Sequence, residues 1–102
     1  MTVGRFNELI HAPNRLQICA VLAGVEAAEF SALRQLLDVS DSVLSKHIKV
    51  LQEAHYVTVR KSAQGPRTTW LELTPLGRDE LTAHLEELRR IADQASPAVK
   101  PA

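Results

Sequence analysis

Residues 40–54 read SDSVLSKHIKVLQEA, and this stretch decides the fold. Leu44, Ile48 and Leu51 recur at steps of four and three, which is the inward stripe of a helix. Ser42, Ser45, Lys46, Lys49 and Gln52 fall on the opposite side, with Glu53 as the acid beside them. Ser40 is a good N-cap, and Asp41 adds favourable negative charge to the first turn. A short helix anchored by three aliphatics and showing Ser, Lys and Gln outward suits a DNA groove. The competing reading is a merely solvated helix face.

The flanking segments decide between the two. Upstream, Ser31 predicts the N-cap of a helix over residues 32–37, with Leu33, Leu36 and Leu37 facing the core. Asp38 and Val39 make a tight turn into the stretch above. A two-turn helix, a short turn and a longer helix make a helix-turn-helix. Downstream, residues 56–61 and 68–73 alternate in polarity around a turn carrying Gly65 and Pro66. Val57, Val59, Leu71 and Leu73 point inward, so the pair reads as a hairpin, here a wing.

Further out, Pro13 opens a helix over residues 14–23, with Leu16, Ile18, Cys19 and Leu22 inside and Gly24 at its end. Residues 25–30 fit a loop or a very short strand. Residues 2–11 predict a short helix with Phe6, Leu9 and Ile10 on one stripe. Thr74 and Pro75 restart a helix over residues 75–95, where Leu81, Leu85, Leu88, Ala92 and Ala95 follow heptad-like steps with Ile91 beside them. Residues 97–102 read as a disordered tail.

The expected fold class is mainly α with a small β-hairpin. It is a winged helix-turn-helix core over residues 12–74, inside one domain spanning 1–96. Helices 2–11 and 75–95 would dimerise it through Phe6, Leu9, Ile10, Leu81, Leu85, Leu88, Ile91 and Ala92.

Composition narrows the function. The chain of 102 residues has no net charge, but residues 42–70 carry +4 and residues 71–96 carry −3. Such an asymmetry indicates which surface meets a polyanion. No apolar run approaches the ~20 residues that span a bilayer, and no secretory signal is visible, so a cytoplasmic protein is expected. Cys19 reads as a small buried hydrophobe, with a redox switch as the alternative. No phosphate loop, activated nucleophile or paired buried carboxylate is evident, so neither enzyme activity nor a cofactor is expected.

The order of elements resembles the winged-helix transcriptional regulators of the MarR and ArsR type. The similarity covers residues 13–85. It rests on RLQICAVL (15–22), SDSVLSKHIKVLQEAHYV (40–57) and RTTWLELTPLGRDEL (67–81). The resemblance implies a homodimer on operator DNA. It also exposes a departure, because the family usually has Gly where His55 stands, at a position of positive φ.

The candidate DNA contacts are therefore Ser42, Ser45, Lys46, Lys49 and Gln52 on the helix, with Arg60, Lys61, Arg67, Thr68 and Thr69 on the wing. No Arg lies on the helix, so bidentate guanine reading by Arg is excluded there. His47 reads as a core or hinge histidine, with DNA contact as the lesser alternative. Trp70 reads as packed across the hairpin, with a partner contact as its alternative. Glu80, His84 and Glu87 share one helical face, as metal ligands would, but read better as a solvated flank, and no metal site is expected. The leading expectation is a homodimeric repressor on a pseudo-palindromic duplex. The alternatives are a winged-helix protein-interaction module and a ligand- or metal-responsive DNA-binding switch.

Overall fold

A computed structural model describes residues 4–62 and 67–95 of the chain. The elements run α1 (Glu8–His11), α2 (Pro13–Ala23), β1 (Ala28–Glu29), α3 (Phe30–Leu37), α4 (Asp41–Glu53), β2 (Val57–Lys61), β3 (Thr69–Leu73) and α5 (Pro75–Ala95). The strands form an antiparallel sheet in the order β1-β3-β2, with Val59 opposite Leu71 and Ala28 opposite Leu71 on its other edge. The turn expected around Gly65 and Pro66 and the tail 97–102 lie outside the described residues.

One core joins every layer. Ile18, Cys19 and Leu22 of α2 pack with Leu33 of α3, Leu44, Ile48 and Leu51 of α4, Val57 and Leu71 of the sheet, and Leu81 of α5. Burial of this kind is the main driving term, at about 25 cal/mol per Å² of apolar surface. Burial also pushes the Cys19 thiol up to about 11, against the opposing pull of Arg15. It stays a protonated thiol at neutral pH, which favours the packing role over the redox one.

Helix boundaries follow from local chemistry. Pro13 sits at the first position of α2. Ser40 Oγ accepts the Val43 N–H at 3.2 Å and caps α4. Thr74 Oγ1 accepts the Gly77 N–H at 2.9 Å and donates to the His55 carbonyl at 2.7 Å, so one hydroxyl caps α5 and ties it to the end of α4. Gly77 is required there, because a Cβ would run into the Tyr56 carbonyl oxygen.

α3 and α4 both end in left-handed residues that are not glycine. Asp38 has φ 56° and His55 has φ 67°. In each case the next N–H reaches back five residues, Val39 to Arg34 and Tyr56 to Leu51. This is the Schellman arrangement, with its usual glycine replaced. Asp and His are among the residues that tolerate this region best.

Several expectations are corrected. The N-terminal helix is a single turn, not residues 2–11. Asn7 caps it by accepting the Ile10 N–H at 2.9 Å, and residues 4–6 run without helix along α5. There the Arg5 N–H donates to the Ala83 carbonyl at 3.0 Å. α3 begins at Phe30 with Glu29 at the cap position, and Ser31 donates instead to Glu29 Oε1 at 2.7 Å. Leu36, expected to face the core, is 65% exposed, whereas Leu33 is buried. Of the two readings left open for residues 25–30, the very short strand is the one found, at Ala28–Glu29 beside the hairpin. Ile10 and Leu81, expected at a dimer interface, belong to the core of the single chain.

Candidate nucleic-acid interface

α4 packs against β2 and α2, with Leu44, Ile48 and Leu51 buried on its inner face. That anchoring turns Ser42, Ser45, Lys46, Lys49 and Gln52 outward, and all five are exposed. Asp41 at its start is paired with Arg34 of α3 at 2.9 Å, a surface link between the two helices of the helix-turn-helix. Ser42 Oγ lies 3.2 Å from Ser40 Oγ, so the cap holds this first-turn hydroxyl in place.

Between α4 and the hairpin runs a groove of about 480 Å³. Ser45, Lys49 and Gln52 line it from the helix, Lys61 and Thr69 from the wing, and Phe30, Ile48, Val59 and Leu71 form its floor. Two lysines and three neutral polar side chains therefore converge on one concave surface with no acid in its lining. Lys46 and Ser42 stand on the adjoining exposed face of α4, outside the groove. A second cleft, of about 360 Å³, is lined by Lys61, Ser62, Arg67, Thr68 and Thr69. It extends the basic surface along the wing.

Not every expected cation is equally available. Arg60 Nη2 is held by Glu72 Oε2 at 2.7 Å across the hairpin. Trp70 is half-buried on the same strand as Glu72, opposite Arg60 on one side and Glu29 on the other. Its place in the ladder fits packing across the sheet. The Phe30 floor of the groove is not evident from sequence, since nothing in residues 25–30 marks a half-buried aromatic.

His47 and His84 take different kinds of place. His47, half-buried, faces α2, where Arg15 Nη1 lies 3.3 Å from its Nδ1 and Asn14 Nδ2 lies 3.5 Å from its Nε2. Burial first, then the Arg15 and Lys46 charges, hold it below the ordinary histidine value. His84 is neither a solvated flank nor an open metal ligand, because it is completely buried. Its Nδ1 accepts the Asn7 N–H at 3.0 Å, so the ring proton sits on Nε2, which donates to His11 Nδ1 at 3.1 Å. A protonated Nε2 has no lone pair for a metal. Among the described residues no group of three or more His, Cys, Asp or Glu side chains is placed to hold a metal ion.

A helix-turn-helix backed by an antiparallel wing, with polar and basic side chains gathered between them, defines a winged helix-turn-helix DNA-binding domain. Comparison with known proteins agrees. The family described as winged helix DNA-binding domain matches residues 14–92, and the chain belongs to it. It is 31% identical over 88 residues to the uncharacterised protein MJ0432 of Methanocaldococcus jannaschii, covering 85% of this chain and 91% of the relative. The transcriptional regulator homologue protein from Pyrococcus horikoshii OT3 superposes with a TM-score of 0.85 at 28% identity, over 88% of this chain and 90% of that one. A MarR family regulator from Silicibacter pomeroyi shares the fold at 22% identity, with a TM-score of 0.67 over 91% of this chain and 62% of that one. The chain is thus a winged helix DNA-binding domain, similar in fold to transcriptional regulators.

Proposed function

We propose that the protein is a cytoplasmic homodimeric repressor that binds a pseudo-palindromic duplex operator. α4 enters the major groove, and the wing follows the flanking backbone or minor groove. The observation that carries this is the groove between α4 and the hairpin, where Ser45, Lys49 and Gln52 meet Lys61 and Thr69. Lys donates to guanine O6 or N7, Gln pairs with adenine, and Ser accepts either. Lys61, Arg67, Thr68 and Thr69 supply the phosphate contacts that set register. In a dimer the two α4 helices read half-sites about 34 Å apart.

A selection of bound duplexes from a random pool, followed by titration of the winner, tests this. The expected result is one enriched pseudo-palindrome. Changing Lys46 and Lys49 to Ala is expected to weaken binding steeply and to lower the salt slope by about 0.9 for each phosphate no longer neutralised. Recovery of no preferred sequence at low salt, with the chain's own promoter included in the pool, would leave the protein-interaction module as the better reading.

A further inference from the structure

The recognition helix has two flanks, and only one faces the wing. Ser45 and Gln52 turn to the hairpin side, where they line the groove with Lys61 and Thr69. His47 turns the other way, toward the start of α2. A helix with its side chains is about 10–12 Å across, close to the ~12 Å width of the major groove. Such a helix touches both walls of the groove. The wing accounts for one wall only.

Arg15, Asn14 and His47 gather on the other flank. Arg15 Nε is fixed by the Leu9 carbonyl at 2.6 Å, which aims the rest of the guanidinium at α4. A guanidinium only donates, so the His47 Nδ1 it meets at 3.3 Å accepts, and the neutral ring carries its proton on Nε2. That edge faces the Asn14 amide. No carboxylate among the described residues pairs with Arg15, whereas Arg5, Arg34, Arg60, Arg89 and Arg90 each have one. The charged groups acting on His47 are Arg15 of α2 and Lys46 of its own helix, both cations. On this flank the Arg15 guanidinium meets a neutral histidine and no carboxylate among the described residues.

We propose that Arg15, His47 and Asn14 form a second phosphate clamp, on the flank of α4 opposite the wing, holding the strand that the wing does not reach. The clamp rests on the DNA-binding reading above and extends it to the other groove wall. A phosphate oxygen between Arg15 and His47 takes over the Arg15 donor, and the His47 Nδ1 released by it can carry a proton toward the anion. It also offsets the two cations that suppress protonation of His47, so binding draws a proton onto the ring. Affinity then rises as pH falls through the histidine range.

The test measures binding of the selected operator by fluorescence anisotropy from about 50 to 200 mM salt, for wild type, Arg15→Gln, Arg15→Lys and His47→Gln. Arg15→Gln is expected to lower affinity about tenfold on operator and scrambled duplex alike. It should also reduce the salt slope by about 0.9. Arg15→Lys is expected to keep the slope. His47→Gln should lose part of the gain in affinity that wild type shows on acidification, a readout that a purely structural histidine would not move. Thermal unfolding of each variant confirms that it is folded. Wild-type binding with an unchanged slope in Arg15→Gln and an unchanged pH profile in His47→Gln overturns the clamp alone. A wild type that binds no duplex overturns the DNA-binding reading and the clamp with it.

Discussion

His55 closes the recognition helix at φ 67°, a conformation that disfavours a Cβ. Its side chain makes no hydrogen bond among the described residues, so little is lost by removing it. His55→Gly is expected to raise stability by about 0.5–1 kcal/mol in urea unfolding, the relief of left-handed strain outweighing the added freedom of the unfolded chain. Gly77 is the opposite case. A Cβ there meets the Tyr56 carbonyl and the Leu73 side chain, so Gly77→Ala is expected to destabilise by several kcal/mol or prevent folding. His84 sets the acid limit. Burial, then the neighbouring His11, hold its pKa below the ordinary value of 6.5. His84 meets the His11 and Phe6 rings and the Asn7 N–H, and the Asn7 amide is bonded in turn to Tyr56 and Glu80. A neutral buried histidine lets the unfolded chain bind more protons than the folded one. Its contribution is therefore whole above pH 6.5 and shrinks as pH falls below it, at up to about 1.4 kcal/mol per pH unit. Urea midpoints measured from pH 7.5 downward should fall in wild type. In His84→Leu they should be lower at neutral pH, because the Asn7 N–H loses its acceptor, and flatter toward acid.

At the scale of elements, α4 and the hairpin are legible in the sequence because their periods are unambiguous. Leu44, Ile48 and Leu51 repeat as a helix, and Val57 and Val59 alternate as a strand. Ser40, Pro13 and Thr74 mark their helix starts by side-chain chemistry that acts locally. What stays hidden depends on distant partners. Ala28 and Glu29 are a strand only because β3 lends them an edge. Ser31 has the chemistry of a cap, but Glu29 takes its hydroxyl. His84 has the place of a solvated flank, yet it is buried because the segment before Asn7 folds back over it from 77 residues away. The wing's charge is likewise smaller than its sequence suggests, since Glu72 occupies Arg60. That pair is exposed, so it adds little to stability, about 0–1 kcal/mol. Glu72→Gln is expected to leave unfolding almost unchanged while freeing Arg60 for the DNA backbone. Operator affinity should then rise several-fold, with a salt slope steeper by about 0.9. Weaker binding by this variant would mean that the Arg60–Glu72 pair, as a unit, sets the shape of the wing.

For the whole molecule, the radius of gyration is 16.1 Å, against about 13 Å for a compact chain of this length. Among the described elements α5 is the longest, at 21 residues. Its first half is committed to the domain through Gly77, Leu81, Ala83 and His84, while the last turns stand clear. There Leu88 is half-buried and Ile91 is 40% exposed. Phe6, 44% exposed, lies over the His11 and His84 rings at 4.7 and 4.8 Å. The Glu86–Arg89 and Glu87–Arg90 pairs flank this apolar strip. A helix that projects an apolar seam beyond its own core gains by packing against a second copy, and charges beside such a seam set partner orientation. The proposed dimer therefore rests on Phe6, Leu88 and Ile91 rather than on Ile10 and Leu81. These two sets separate dimerisation from folding. Ile91→Glu places a charge on the seam and touches nothing in the core. It is expected to give a folded monomer by sedimentation at micromolar concentration, with unchanged helix content, and to lose most operator affinity because the two half-sites no longer share one protein. Leu81→Ala instead empties the core, costing about 2–5 kcal/mol in unfolding, and should leave the folded fraction dimeric. A dimer that survives Ile91→Glu would place the two-fold axis elsewhere, and the spacing expected between the α4 helices would fall with it.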